Sequence, residues 1–145
     1  SGKTESLTEG GRFDYGLAIN ASGDVVLNSS TPMKPFELQR LTGKNRMTAL
    51  TDHNDWLKSR TLAPVETLRF KSADATDIQG LMMKPIGYVE GRRYPTILRL
   101  HGGPVYQFSA EFMADWQVYA NAGFLVVAVN PRGSSGRGFD FAKAI

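Results

Sequence analysis

Two stretches decide how this chain is read: Leu98-Arg99-Leu100-His101-Gly102-Gly103-Pro104 and Asn130-Pro131-Arg132-Gly133-Ser134-Ser135-Gly136. Each closes an apolar strand in a glycine-rich turn. Residues 124–129, leading into the second, are continuously apolar, the pattern of a strand covered on both faces in a parallel sheet. Between the two strands, residues 109–121 carry helical spacing. Phe112, Trp116, Tyr119 and Ala120 stand at i, i+4, i+7 and i+8, on one stripe that reads as packing rather than a ligand site. Ser109 suits the N-cap of that helix, Glu111 its first turn, and Gly123 its C-terminal stop. Strand, helix and strand with short connections make a βαβ unit and imply parallel pairing.

Outward from this unit the pattern changes. Residues 94–100 read as the first of the two strands, with Pro95 near its start, where a missing N–H is tolerable. Residues 65–70 and 78–83 read as a hairpin around 72–77, and 85–93 as a polar loop. The segment before them is different in kind. Residues 15–19, 25–27, 36–41 and 46–51 read as four short strands, with turns at 20–24 and 42–45 and a loop at 31–35. Leu17 and Ile19 fall on one face, and Gly23 suits a positive φ. Four such strands make one sheet, like a single propeller blade, too small to bury much core alone. Residues 52–57 read as a hinge between the two patterns.

Composition excludes several classes. The chain has 145 residues, 41% hydrophobic and 21% charged, which is globular. Its net charge of +3 is scattered over the sequence, so no nucleic-acid surface is expected. It has no cysteine, hence no disulfide framework and no thiolate metal site; a reducing, cytoplasmic setting is favoured without being fixed. No apolar run approaches the ~20 residues that span a membrane. Ser1-Gly2 reads as a cloning remnant rather than a signal peptide, and the chain is expected to be a piece of a longer one.

The chemistry lies in the first glycine turn. Acyl transfer places negative charge on a carbonyl oxygen, and a preorganised N–H aimed at it contributes about 3–4 kcal/mol. In an α/β-hydrolase sheet one such donor comes from the loop after the third strand, where glycines let the backbone approach the substrate. His101-Gly102-Gly103-Pro104 stands at that loop. Gly103 is the expected donor, His101 and Gly102 shape the loop, and Pro104 stiffens it. His101 is not the general base, since the catalytic histidine of this fold comes last in chain order. His53, in the hinge, reads as structural. Ser135 does not complete a Gly-x-Ser-x-Gly elbow, because Arg137 stands where the final glycine belongs. Arg132 reads as holding the turn or pairing with a carboxylate, and no acidic cluster has metal-ligand spacing.

The chain resembles the prolyl oligopeptidase family of serine peptidases, on its acylaminoacyl-peptidase branch. The matching residues are Pro35-Phe-Glu37-Leu38, Leu50-Thr51-Asp52-His53-Asn54, Lys71-Ser72-Ala-Asp74, Ile78-Gln-Gly80, Lys84-Pro85, residues 94–104, Gln117, Gly123 and Asn130-Pro-Arg-Gly-Ser134. The resemblance implies an α/β fold in two parts. Residues 1–57 are the last-blade strands of a β-propeller, and 58–145 are the N-terminal portion of an α/β-hydrolase domain, cut before the nucleophile. It implies that Gly103 is the oxyanion donor and that His101 shapes its loop. Other branches place a tyrosine at the His101 position. Asp74-Ala75 departs from the family's Asp-Gly.

The expectation is therefore a segment of a serine-type peptidase that hydrolyses acylaminoacyl or aminoacyl bonds of short peptides. The nucleophile, acid and base fall on no residue here, so the 145 residues are expected to be inactive alone. No cofactor and no metal is expected. The expected partners are a short peptide substrate and the rest of the hydrolase domain, with self-association through an exposed sheet edge. Two alternatives are an esterase of the same fold and a non-catalytic assembly module.

Overall fold

Asn20 makes the first hairpin. Its side-chain oxygen accepts the N–H groups of Ser22 and Asp24 at 3.0 and 2.9 Å, and Gly23 takes a φ of +81°. The turn joins β1 (Phe13–Ile19) to β2 (Val25–Thr31), and β3 (Lys34–Leu41) and β4 (Met47–Ala49) follow in antiparallel order β1-β2-β3-β4. These details come from a computed structural model, which describes residues 2–103 and 105–145. The chain forms two compact units, one of residues 1–60 with 110–113, the other of 61–109 with 114–145.

The expected loop at 31–35 is shorter than the proline pair suggested. Thr31 faces Lys34 across a tight turn, so β3 already begins at Lys34. Pro35, which lacks an N–H, is absorbed where the register slips between Ser29 and Thr31. Leu17 and Ile19 share a face, and that face is exposed, at 65% and 63%. The buried apolar residues of this unit are Leu27 and Leu41, among the described residues, and polar groups complete its interior.

The chief of these is Glu37, only 2% exposed. Its carboxylate accepts the Thr51 hydroxyl, the Asn54 N–H at 3.1 Å and the Asn54 amide at 2.7 Å. Thr51 accepts in turn from the Leu38 N–H at 3.0 Å. The bond from Thr51, outweighing burial and helped by Asn54, holds the Glu37 carboxyl below the ordinary carboxylate range. A depressed native pKa means that the stabilisation is present above the unfolded pKa, near 4.3, and is lost as pH falls through the native value. Glu37→Gln is expected to cost about 2 kcal/mol at neutral pH, the worth of hydrogen bonds to a buried charge. It should also flatten the acid limb of a plot of urea midpoint against pH, measured on the intact protein. Parallel acid limbs for wild type and variant would contradict this assignment.

The expected hinge at 52–57 holds a short 3-10 helix, Asp55–Ser59. Its exposed Asp55 and Lys58 pair with each other. His53 is exposed and contributes a backbone bond to Glu37.

In the second unit β5 (Val65–Lys71) and β6 (Asp77–Met83) form the expected hairpin. Its turn keeps Ala75 at a φ of +64°, where glycine is the usual residue. Then come β7 (Thr96–Arg99), α1 (Ala114–Asn121), β8 (Leu125–Asn130) and a single turn, α2 (Phe139–Ala142). The sheet order is β5-β6-β8-β7, with β7 and β8 parallel, so β7-α1-β8 is the anticipated βαβ unit in a mixed sheet.

Helix α1 starts at Ala114, five residues later than its spacing suggested, so Ser109 does not cap it. Residues 110–113 belong instead to the first unit. There the Phe112 N–H donates to the buried Ser30 hydroxyl at 2.9 Å, taking that backbone out of a helical path. Trp116 and Ala120 are each 1% exposed and anchor the helix beside Met83, Val126 and Ala128 in the core of the unit. Burying a large apolar side chain contributes about 1.5–3 kcal/mol. Gln117, also buried, exchanges both amide bonds with the Ala63 backbone, at 2.8 and 2.9 Å. Gly123 ends the helix at a φ of +91°. The Phe124 N–H reaches the Tyr119 carbonyl and the Gly123 N–H reaches that of Ala120, the paired bonds of a Schellman stop. Strand β8 buries Val126, Ala128 and Asn130, and its other face is half-covered.

Candidate active site

Parallel β7 ends at Arg99, and the described residues among 100–113 have no regular structure. Leu100, Gly102 and Gly103 are exposed and His101 is half-buried. Gly103 has a φ of +126°, in the region that favours glycine. A Cβ there would stand 3.2 Å from both the Tyr106 Cβ and the Val105 nitrogen. Glycine is thus demanded by backbone conformation, and a side chain would be crowded there as well. Gly102 is different, since a Cβ on it would meet nothing within 4 Å. Among the described residues no acceptor meets the Gly103 N–H. The stiffening expected of Pro104 lies outside the described residues.

The turn after β8 holds this loop in place. The Asn130 carboxamide, 6% exposed, accepts the Phe108 N–H at 2.8 Å and donates to the Phe108 carbonyl at 2.9 Å. The Ser135 N–H donates to the Tyr106 carbonyl at 2.9 Å. His101 Nε2 lies 2.9 Å from the Ser134 hydroxyl, and Ser134 is fully buried. The imidazole also sits edge-on to the Tyr106 and Phe108 rings, with centroids 5.9 and 5.5 Å away. One loop therefore hangs on one turn through three separate attachments. Its glycine corner stays open while its base is pinned.

The remaining candidates divide plainly. Arg132 pairs with Asp74, both half-exposed, a contact of the kind that contributes little to stability. Arg137 donates to the Asp77 carbonyl and lies 4.3 Å over the Phe141 ring. His53 lies in the other unit. Among the described residues no group of His, Asp and Glu could hold a metal ion, and no helix is long and apolar enough to cross a membrane. Sequence reasoning missed the side chains of Asn130 and Ser134 as loop anchors. The available signal was a carboxamide and a hydroxyl closing a strand whose preceding residues are all apolar.

The profile of the prolyl oligopeptidase family matches residues 110–145. The acylaminoacyl peptidase of Pyrococcus horikoshii superposes on 95% of the chain with a TM-score of 0.83 at 30% identity. The chain belongs to the prolyl oligopeptidase family. This is a family of serine-type peptidases, and the mixed α/β architecture is that of its acylaminoacyl-peptidase branch, propeller strands preceding a hydrolase sheet. The uncharacterized peptidase YuxL of Bacillus subtilis is 31% identical over 121 residues, 83% of this chain. The dipeptidyl-peptidase 5 of Schizosaccharomyces pombe is 33% identical over 82 residues, 55% of this chain. The chain spans a small part of these relatives: 22% of the Pyrococcus peptidase, 18% of YuxL and 12% of dipeptidyl-peptidase 5.

Proposed function

We propose that these residues are a segment of a serine peptidase that hydrolyses acylaminoacyl or aminoacyl bonds of short peptides. In this reading the segment supplies the oxyanion loop. Gly103 is the donor, its N–H aimed at the oxygen that becomes negative as the carbonyl is attacked, and His101 and Gly102 shape the loop. The observation that carries the reading is Gly103 itself, a glycine held at φ +126° at the open corner of a loop pinned at its base. Residues 1–57 are strands of the last propeller blade and 58–145 the opening of the hydrolase domain. In this reading the nucleophile, acid and base lie outside residues 1–145, and the small share of the relatives' length that the chain spans supports it.

The substrate class follows the relatives. A structural neighbour, 30% identical, is an acylaminoacyl peptidase in complex with Z-Gly-Gly-Phe-chloromethyl ketone, a peptide-based reagent. The test is made on the full polypeptide that carries these residues. A fluorophosphonate serine probe is expected to label it on a serine outside 1–145. Turnover of acetyl-aminoacyl and aminoacyl amides is expected to exceed that of simple esters after correction for intrinsic reactivity. No labelling, or labelling within 1–145, would overturn the proposal. Ester turnover with inert amides would transfer the segment to an esterase.

A further inference from the structure

We infer that Ser134 is a positioning residue for the oxyanion loop and acts through His101; the inference rests on the loop reading proposed above. Hydrogens are limiting at this contact. A serine hydroxyl has one, and Ser134 spends it on the Pro131 carbonyl at 2.6 Å. Its oxygen can then only accept from His101, 2.9 Å away. His101 therefore donates from Nε2, while its Nδ1 lies 3.1 Å from the Gly102 carbonyl, an acceptor at the other corner of the ring. A ring that donates at one corner to a fully buried oxygen, with Tyr106 and Phe108 edge-on to it, has little freedom to turn.

The consequence runs along the backbone. His101 is two residues before Gly103, so a fixed ring fixes the entry of the chain into the glycine corner. The exit is fixed by the same turn, through Asn130 on Phe108 and Ser135 on Tyr106. Ser134 is the only one of the three attachments that grips the entry side. Removing its hydroxyl leaves the His101 N–H without an acceptor and the Pro131 carbonyl without this donor. The entry side loosens while the exit side stays held. The effect belongs on the rate of the chemical step, because the loop meets the oxygen chiefly as charge develops there.

Two readouts on the full polypeptide test this. In protein labelled with 15N-histidine, with the His101 signal assigned by its loss in His101→Gln, the wild type should carry a hydrogen on Nε2. Ser134→Ala should lose the fixed occupancy of that hydrogen on Nε2. Its kcat should fall by about tenfold with KM held within about twofold, less than the loss of about 10²-fold that a misplacement of about 1 Å can cause. The double variant Ser134→Ala/His101→Gln should be no worse than His101→Gln, as for two residues acting as one unit. A wild-type His101 with no hydrogen on Nε2 overturns the inference without any variant, and so do additive losses. Unchanged kcat in Ser134→Ala beside an impaired Gly103→Ala overturns it and leaves the loop reading standing. Unchanged kcat in both removes the loop reading itself.

Discussion

Gly103→Ala in the full polypeptide should lower kcat/KM by about 10²–10³-fold, the usual result of losing one oxyanion donor. Two independent costs arise at the same atom. A Cβ at φ +126° is strained wherever it points, at about 1–3 kcal/mol. It would also press on the Tyr106 Cβ and the Val105 nitrogen, both 3.2 Å away. The chain escapes both by rotating the peptide units around residue 103, which turns the N–H from its target. Because the residue is exposed at a loop corner, the thermal midpoint should move by only a few degrees. The decisive comparison sets kcat/KM against thermal midpoint for the same preparation. A loss of activity matched by wholesale unfolding would remove the case for an oxyanion role, and so would full activity.

Gly80→Ala should be the most damaging single methyl in the second unit. Gly80 is buried in β6, paired across the ladder with Val129 of β8. A Cβ there would lie 2.5 Å from the Ala128 carbonyl oxygen and 3.3 Å from the Val129 Cα. These are backbone atoms, so no rotamer change relieves the clash and the two strands must part. The expected cost is about 3 kcal/mol, at the top of the overpacking range. That corresponds to about a 150-fold change in the folding equilibrium. Urea denaturation of the intact protein reads it directly. Activity should suffer as well, because Asn130 pairs with Gln79 next along the same ladder, and the strand end that carries the loop's anchors moves with it. An unchanged urea midpoint would show that β6 and β8 have slack that the close packing denies.

What could be read from the sequence was set by local rules, and what could not depended on distant partners. The strands at 65–70, 78–83 and 124–129 declared themselves by length, apolar content and bounding turns. Gly123 declared the end of α1 because a left-handed stop is a local demand met within six residues. The start of α1 was misread because residues 109–113 satisfy the helical spacing, yet Phe112 is taken by Ser30, 82 residues earlier in sequence. Pro35 suggested a loop and sits in a strand, since a register slip in the facing strand accommodates its missing N–H. Ala75 stands in a turn that usually asks for glycine, and the hairpin forms nonetheless, with seven register pairs to hold it. At the candidate site the glycines were legible from their type. Ser134 was not, because serine closes turns everywhere and only the packed fold shows its hydroxyl between an imidazole and a carbonyl.

The first unit is discontinuous, and that has a consequence for the order in which the molecule can be made. Residues 110–113 complete it, yet they leave the ribosome long after Ser30. At about 5–20 residues per second, the interval between Ser30 and Phe112 is about 4–16 s. Throughout it the nascent sheet lacks the strap that covers the Ser30 hydroxyl. Closing so long a loop costs about 4 kcal/mol of chain entropy when the intervening residues are unstructured. Prior folding of 61–109 would shorten the effective loop. Slow or paused translation between these points thus acts on the first unit through residues that belong to the second.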